Sequence, residues 1–401
     1  MSRAGAARLR TLEDLGDITG KRALVRCDFN VPLEGGRITD DLRIRATLPT
    51  LIDLLERGAG LVLCSHLGRP KGKRDAQLSL SPVSARLSEL LARDVTQCGA
   101  VVGSEARFCS DRLRPGGLMM LENVRFDPRE EANDPGFADE LASLGEVYVD
   151  DAFGAAHRAH ASVVGVAERL PSAAGRLMQK EVEVLSRLRD DAEEPFVAIL
   201  GGAKVSDKLA TVESLAEKVD ALLIGGAMAF SFLAAAGGEV GRSLVEPDRY
   251  DDVRATVKKA EAKGVVIQLP EDVVAAPEAS VEARRQTVPA NAIPRELMGL
   301  DIGPRTVEEF ARTIADAKTI FWNGPMGVFE LEPFSAGTRG VAHAVALANG
   351  YSVVGGGDSL AALRKFGLLE AIDHLSTGGG ASLELLEGRK LPGVEVLLEG
   401  R

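Results

Sequence analysis

The chain is poor in cysteine, and the few cysteines it has are not spaced to bind a metal. The four, Cys27, Cys64, Cys98 and Cys109, include no CxxC pair, so no zinc site is predicted. Cys27 and Cys64 lie in apolar, strand-like runs, and we expect both to be buried as small hydrophobic residues. Their use as free thiols fits a reducing cytoplasm.

Long hydrophobic runs are also lacking. No apolar run approaches 18 residues, so no membrane span is predicted. The first residues, MSRAGAARLR, are basic and rich in alanine but have no apolar centre, which argues against a secretory signal. A transit peptide remains an alternative for this segment.

Positive charge is in deficit. Forty-eight Lys and Arg residues face fifty-nine Asp and Glu, which gives a formal net charge of −11. A nucleic-acid-binding surface needs a basic face, so polyanion binding is not expected. A few focused arginines can still bind a small anion.

The residues that are present alternate between strand and helix patterns. The chain has 401 residues, 45% hydrophobic and 27% charged, which suits two or three globular domains. Strands are predicted at 23–29, 60–67, 118–126, 146–153, 195–202, 221–226, 265–273, 319–324 and 351–357. Helices are predicted at 42–58, from an N-cap at Ser81 with Pro82, and after Asp134-Pro135. This spacing indicates parallel βαβ units and a sheet covered on both faces.

The loops divide into two chemical kinds along the chain. Loops after the early strands carry arginine and histidine, whereas loops after the late strands carry glycine at 201–202, 225–226 and 355–357. A charged helical pattern at 175–195 lies between these halves. Ligands of open α/β sheets bind at the carboxyl ends of strands. We therefore predict an α/β protein of two doubly wound, parallel-sheet domains joined by a connector and sharing one cleft.

The early loops predict a site for a small, multiply charged anion. RCDFNVP (26–32), SHLGRP (65–70), Arg125 and Arg158 each place arginine just beyond a strand, and arginine holds carboxylates and phosphates bidentately. Surface ion pairs at strand ends are the alternative for each motif alone. His157 and His160 are too few for a metal site, and loop structure is the preferred interpretation.

The late loops are compatible with phosphate binding. In GGAKVSDK (201–208), a helix beginning near residue 204 would place Lys204 and Lys208 on one face, one turn apart, although a solvated lysine pair is equally compatible. In VVGGGDSLAAL (353–363), Asp358 is either an N-cap or a ligand for a magnesium ion beside bare backbone amides. FWNGPMGVFE (321–330) indicates a conformationally special loop.

Taken together, nine motifs resemble the phosphoglycerate kinase family. They are RCDFNVP, SHLGRP, LENVRF, DAFGAAHRAH, GGAKVSDK, LDIGP, FWNGPMGVFE, GGGDS and STGGGAS, in the order that the family has. The resemblance runs from about Thr11 to the C-terminus. It implies reversible phosphoryl transfer between 1,3-bisphosphoglycerate and Mg-ADP, giving 3-phosphoglycerate and ATP, in the cytoplasm and by a monomer.

The resemblance also implies roles for individual residues. The glycerate ligand would be held by Asp28, Asn30, Arg43, His66, Arg69, Arg125 and Arg158. The nucleotide would be held by Gly201, Lys208, Gly303, Asn323, Glu330, Gly356, Gly357, Asp358 and Ser359, with Asp358 reaching Mg²⁺. Arg43, Lys204 and Gly379 would act in the transfer step, Gly379 from the STGGGAS segment near the hinge.

Domain boundaries follow from the same resemblance. An N-terminal phosphoglycerate-binding domain is expected at 1–172, a connector at 173–194 and a nucleotide-binding domain at 195–383, with 384–401 returning to the first domain. Departures are small: Ser359 stands where the family usually has threonine, and Cys27 where valine is usual.

Three other functions fit the sequence less well. A dehydrogenase needs a first-strand GxGxxG followed by an acidic residue about 20 positions later, and this pattern does not appear. A P-loop ATPase needs GK[ST], which is missing. A catalytically silent nucleotide-binding scaffold should have lost a transfer residue, yet Arg43, Lys204 and Asp358 are all present.

Overall fold

The computed structural model describes residues 8–400, so most of the segment for which a transit peptide is the alternative lies outside the described residues. The chain divides into two compact units. Unit 1 extends to Glu183 and resumes at Lys390, and unit 2 is Val184–Arg389. Both are α/β units with parallel sheets, as predicted. Within residues 8–400, no helix combines the length and the apolar character needed to cross a membrane.

The core of unit 1 is a parallel six-stranded sheet. The unit contains β1 (Arg22–Arg26), β2 (Leu33–Glu34), β3 (Arg37–Ile38), β4 (Gly60–Cys64), β5 (Val95–Gln97), β6 (Leu118–Met120), β7 (Val147–Asp150) and β8 (Ser172–Ala174). The sheet order is β5-β6-β4-β1-β7-β8, while β2 and β3 form an antiparallel hairpin. β4 is buried along its whole length and β1 from Ala23 to Arg26, as expected for a parallel sheet covered on both faces. Cys27 and Cys64 are free and buried, as predicted.

Helices of unit 1 connect these strands. They are α1 (Leu42–Glu56), α2 (Ser81–Leu91), α3 (Ser104–Asp111), α4 (Pro135–Ala142) and α5 (Arg176–Asp190), which continues into unit 2. Shorter 3₁₀ turns are Leu12–Leu15, Ala76–Leu78, Val124–Phe126 and Phe153–Ala155, and Ala161–Gly165 is a π-helical turn. Asp134 caps α4 as predicted, accepting a hydrogen bond from Phe137 N at 2.8 Å. The N-cap prediction for Ser81 is wrong by one residue, because Leu80 is the N-cap and Ser81 begins the helix.

Unit 2 has a second parallel six-stranded sheet and a smaller antiparallel one. Its strands are β9 (Phe196–Leu200), β10 (Ala221–Ile224), β11 (Glu239–Val240), β12 (Val266–Gln268), β13 (Asp272–Ala276), β14 (Gln286–Pro289), β15 (Ala292–Ile293), β16 (Met298–Ile302), β17 (Thr319–Asn323), β18 (Tyr351–Gly355) and β19 (His374–Ser376). The parallel order is β12-β10-β9-β17-β18-β19. Its helices are α6 (Leu209–Leu215), α7 (Met228–Ala235), α8 (Tyr250–Ala262), α9 (Pro304–Ala315), α10 (Ala336–Leu347), α11 (Gly357–Phe366) and α12 (Gly380–Leu386). Short 3₁₀ turns are Pro247–Arg249, Glu332–Phe334 and Leu369–Ala371.

One predicted strand of unit 2 is wrong. The run 265–273 is expected from its sequence to be a single strand, but it separates into β12 and β13. Pro270 lies between them, and a proline has no N–H to donate to a sheet. β12 joins the parallel sheet, whereas β13 pairs antiparallel with β14 and β16. The sequence patterns do not predict this antiparallel sheet.

The C-terminal segment belongs to unit 1. It contains the short helix α13 (Pro392–Glu395). Gly393 N donates to Ala156 O at 2.8 Å, and Arg10 N donates to Leu397 O at 2.9 Å. A Cβ at Gly393 would lie 2.9 Å from the Ala156 Cα, so only glycine allows this approach.

Candidate functional site

Three neighbouring strands of unit 1 end at one edge of the sheet and carry its polar residues there. Asp28 and Asn30 follow β1, His66 follows β4, and Arg125 follows β6. Because β6, β4 and β1 are adjacent and parallel, their carboxyl ends lie together. We call the group Arg26, Asp28, Asn30, Arg43, His66 and Arg125 the basic cluster. The structure thus brings together residues that are far apart in sequence.

Asp28 and Asn30 orient neighbouring groups. The Arg43 Nη1 lies 3.1 Å from the Asp28 Oδ2 and donates to the Asn30 carbonyl at 3.2 Å. The Asn30 Oδ1 accepts a hydrogen bond from Gly68 N at 2.9 Å. These contacts fix the first turn of α1 against the two loops that follow β1 and β4.

Arg125 is held from two sides. Its Nη1 donates to the Gly68 carbonyl at 2.9 Å, and its Nε lies 3.3 Å from the Glu131 Oε1. Burial lowers the pKa of Arg125, Glu131 opposes that effect, and Arg26 adds to it. The guanidinium is therefore both partly desolvated and close to like charge, which favours an anionic ligand beside it.

Two histidines report the same positive potential. Burial, followed by Arg26, Arg125 and Arg43, holds the pKa of His66 well below its usual range. Burial, followed by Arg125 and Arg26, lowers the pKa of His160 to about 4. Both rings are therefore neutral at pH 7.

Arg158 lies beside the basic cluster, and Arg69 follows Gly68, whose carbonyl accepts a hydrogen bond from Arg125. Both are exposed, and neither side chain makes a hydrogen bond or ion pair within residues 8–400. Arg158 lowers the pKa of both Arg125 and His160, which places it beside them. Two unpaired guanidiniums beside a desolvated cationic group can bind a compact polyanion bidentately.

In unit 2, the loop after β9 differs from the prediction. The expected helix from residue 204 is wrong: α6 begins at Leu209, and Lys208 is its N-cap. The N–H and hydroxyl of Ser206 donate to the Glu246 carboxylate at 2.9 and 2.7 Å. The hydrogen-bonding capacity of this loop residue is thus met without a helix. Lys204 is consequently an exposed loop residue, and the two lysines do not share a helical face.

Lys208 is partly buried and points at the end of β17. Its Nζ donates to the Asn323 carbonyl at 2.7 Å and to the Asn323 Oδ1 at 2.6 Å. Burial lowers the pKa of Lys208 to about 8, and Asp358 and Asp207 oppose that shift. The interaction with Asp358 places that carboxylate near the ammonium group.

Glycines allow the loops after β9, β10 and β17 to touch. A Cβ at Gly201 would lie 2.1 Å from the Pro325 carbonyl oxygen. Gly226 has φ +65°, and its Cβ would lie 2.6 Å from Gly202 N. Since neither contact tolerates a side chain, three strand ends converge on bare backbone.

The GGGDS turn opens α11, but Asp358 is not its cap. Gly356, with φ +93°, is the N-cap and Asp358 lies in the first turn, exposed. Ser359 is buried, and its Oγ accepts a hydrogen bond from Gly324 N at 2.6 Å. The interpretation of Asp358 as an N-cap is therefore wrong, and its carboxylate is exposed near Lys208.

A cavity of about 440 Å³ lies beside these turns within unit 2. Its lining combines apolar side chains, which we call the apolar wall, with glycines and carboxylates, which we call the polar end. Its lining includes Phe230, Leu244, Met298, Leu300, Val328, Gly202, Gly226, Glu330 and Asp358. The sequence predicts the polar end but not the apolar wall, because those residues look like ordinary core positions. Gly303 follows Ile302, which lines the cavity, whereas Gly379 precedes α12 and is not part of the lining.

This arrangement suits a ligand with a flat apolar part and a phosphate chain. The apolar wall can cover a planar ring, while Lys208 and backbone amides can bind phosphates. Within residues 8–400, no three His, Cys, Asp or Glu side chains group closely enough to hold a metal ion. A divalent cation here would need phosphate oxygens as well as Asp358.

Comparisons with known proteins agree on one family. The family model described as phosphoglycerate kinase matches residues 12–389. The chain is 56% identical to the phosphoglycerate kinase of Thermomicrobium roseum over 391 residues, covering 98% of this chain and 100% of that protein. It is 57% identical to a phosphoglycerate kinase of Thermus thermophilus over 392 residues, covering 97% and 100%.

Solved structures give the same result. The phosphoglycerate kinase of Coxiella burnetii superposes with a TM-score of 0.85 at 41% identity, covering 97% of this chain and 99% of that one. That of Pyrococcus horikoshii superposes with a TM-score of 0.86 at 33% identity, covering 97% and 98%.

Proposed function

The chain belongs to the phosphoglycerate kinase family, and on that premise we propose which of its residues carry the reaction. It is a kinase of glycolysis that transfers a phosphoryl group between 3-phosphoglycerate and ATP. The observation that carries the assignment of residues is the division of chemistry between the units: arginine and histidine at the strand ends of unit 1, and lysine, glycine and an apolar cavity in unit 2.

In unit 1 the basic cluster, with Arg69 and Arg158, binds the glycerate ligand. The exposed guanidiniums of Arg69 and Arg158 and the partly buried Arg125 supply charge for its phosphate and carboxylate. Asp28 and Asn30 act mainly by orienting Arg43 and the loop at Gly68. His66 is neutral and supplies a hydrogen bond rather than a charge.

In unit 2 the cavity and its polar end bind the nucleotide. The apolar wall covers the base, and the Glu330 carboxylate, which lines the cavity, can accept a hydrogen bond from a sugar hydroxyl. Lys208 and the backbone at Gly201, Gly356 and Gly357 face the phosphates. Asn323 and Ser359 hold Lys208 and Gly324 in place. Gly303 supports the same cavity from beyond β16.

The nucleotide carries Mg²⁺, and Asp358 fits as its protein ligand. Its carboxylate is exposed and makes no hydrogen bond within the described part of the chain. Mg²⁺ commonly takes one or two protein carboxylates together with substrate phosphates and water. When bound, the ion neutralises charge on the phosphate chain.

The transfer itself relies on positioning and charge neutralisation. The acceptor is a carboxylate in one direction and an ADP phosphate in the other, both already anions, so no general base is needed. Arg43, Lys204 and the backbone amides beginning at Gly379 stabilise the charge on the moving phosphoryl group. An exposed, unanchored Lys204 suits this role, because it can follow the group during transfer.

A coupled assay tests the function. We expect ADP formation from ATP that requires both 3-phosphoglycerate and magnesium. Binding of nucleotide without turnover would favour the silent scaffold instead. We infer further that the protein works in the cytoplasm as a monomer, as the resemblance to the family implies, and its free cysteines fit a reducing compartment.

A further inference from the structure

Arg26, at the end of β1, contacts the ring of His66. Arg26 is fully buried, and its Nη2 lies 3.1 Å from the His66 Nδ1. A guanidinium has only donors and stays protonated, so the ring nitrogen facing it must accept the hydrogen bond. The Nδ1 therefore carries no proton, and in a neutral ring the proton is on Nε2.

Asp28 is the other charged group near the same ring nitrogen. Its Oδ1 lies 4.0 Å from the His66 Nδ1, and a closer carboxylate there would place a proton on Nδ1. The distance of 4.0 Å is outside hydrogen-bonding range, while the Arg26 contact is inside it. Asp28 is instead engaged by Arg43. The balance between the two tautomers thus depends on where the Arg26 guanidinium is held.

A buried chain of hydrogen bonds holds that guanidinium. The Arg26 Nε donates to the Ser162 Oγ at 2.8 Å, and the Ser162 hydroxyl donates to the Glu130 Oε1 at 2.6 Å. The Glu130 Oε2 accepts from Ser162 N at 2.9 Å, and the Tyr148 hydroxyl donates to the Ser162 carbonyl at 2.6 Å. Ser162 and Glu130 are fully buried, so packing restricts each to one orientation.

We propose that Glu130 and Ser162, acting through Arg26, are positioning residues that hold His66 in its Nε2–H tautomer. The inference rests on the proposed function, in which His66 binds the glycerate ligand. The Nε2–H tautomer presents a donor to that anion at every pH where the ring is neutral. The opposite tautomer would present a lone pair and repel it.

The first test is the tautomer of the wild-type protein. The chain has five histidines, so a long-range ¹H–¹⁵N spectrum of protein labelled with ¹⁵N-histidine has few signals, and His66→Gln identifies those of His66. We expect an unprotonated Nδ1 and a protonated Nε2 on His66. A protonated Nδ1 would overturn the inference. The measurement is made on the wild-type protein, and a variant is needed only to assign the signals.

The second test loosens Arg26. Ser162→Ala removes the acceptor of the Arg26 Nε and the donor to Glu130, and it leaves the Cys27 carbonyl as the acceptor of the Arg26 Nη1. We expect the His66 spectrum to show both tautomers, and the KM for 3-phosphoglycerate to rise about three- to tenfold, as for one lost hydrogen bond. The nucleotide KM and kcat should not change. Ser172→Ala is the matched control, because Ser172 is a buried serine of unit 1 whose hydroxyl donates to the Ala167 carbonyl.

A second variant guards against misfolding. Glu130→Gln keeps the side-chain volume and one acceptor oxygen. We expect the same shift in tautomer and rise in the KM for 3-phosphoglycerate, but smaller than in Ser162→Ala. If a folded variant keeps the wild-type tautomer and KM, the hydrogen bonds from Glu130 through Ser162 to Arg26 do not position His66. The spectrum also separates this inference from the function. Wild-type protein that is active but has the Nδ1–H tautomer refutes only the inference. Inactive protein with the Nε2–H tautomer refutes only the function.

Discussion

Lys208 should couple nucleotide binding to proton uptake. Its pKa is lowered to about 8 by burial in the ligand-free protein. Phosphates bound beside it would favour the charged ammonium and raise that pKa toward or above its usual value near 10.4. The difference corresponds to about 3 kcal/mol of interaction that is present only when the lysine is protonated.

The size of the effect follows from the pKa. At pH 7 a lysine with a pKa of about 8 is about 90% protonated, and at pH 9 about 10%. We therefore expect Mg-ADP to bind about tenfold more weakly at pH 9 than at pH 7. Binding should take up about 0.1 proton at pH 7 and about 0.9 at pH 9. The phosphates themselves change little in this range, since their second ionisation lies near pH 6.

Calorimetry in buffers of different ionisation enthalpy measures both quantities. Lys208→Met should bind Mg-ADP weakly and lose most of the pH dependence. Asp301, a cavity residue whose pKa burial raises to about 7, is present in both proteins. The difference between the wild type and the variant therefore excludes its contribution. Lys259→Met is the control, because Lys259 is an exposed lysine of the same unit. Proton uptake that is equal at pH 7 and pH 9 in the wild type would show that the pKa of Lys208 does not control nucleotide binding.

The same pKa has a consequence for the ligand-free protein. The folded-state pKa of Lys208 is below its unfolded value, so the buried ammonium reduces stability below pH 8. That cost disappears as the pH rises toward about 10.4.

Three further outcomes are expected. Lys204→Ala should lower kcat by roughly 10²–10³ with little change in nucleotide KM, as for loss of one transition-state donor; a rise in nucleotide KM alone would contradict this. Arg125→Ala should weaken 3-phosphoglycerate binding by on the order of 1.5–3 kcal/mol and spare the nucleotide, and equal losses in calorimetry would argue against it. Burial raises the pKa of Asp151 to about 7, so the folded state binds the extra proton and this group reduces stability as pH rises from about 4 to 7. Asp151→Asn should therefore gain stability over the wild type between pH 5 and pH 8, by at most about 4 kcal/mol; a thermal-unfolding difference independent of pH would be inconsistent with this.

Local patterns in the sequence indicated most strands of the two parallel sheets, although most of the predicted runs extend beyond the observed strand ends. The parallel strands, the cap at Asp134 and the burial of Cys27 and Cys64 follow from neighbours within a few residues. The nine motifs and their order identified the family, because each motif can be recognised from a short stretch of sequence alone. Pro270 could have divided the strand predicted at 265–273, since a proline inside a strand pattern is a recognisable signal.

Tertiary structure alone decided the surroundings of the site residues. Lys204 and Lys208 look equivalent in sequence, yet one is exposed and the other donates to Asn323, which is 115 positions away. The apolar wall of the cavity and the chain from Glu130 through Ser162 to Arg26 have no local signature. A pKa or a tautomer depends on burial and on charges brought close by folding, and these contacts join residues that no short-range pattern relates.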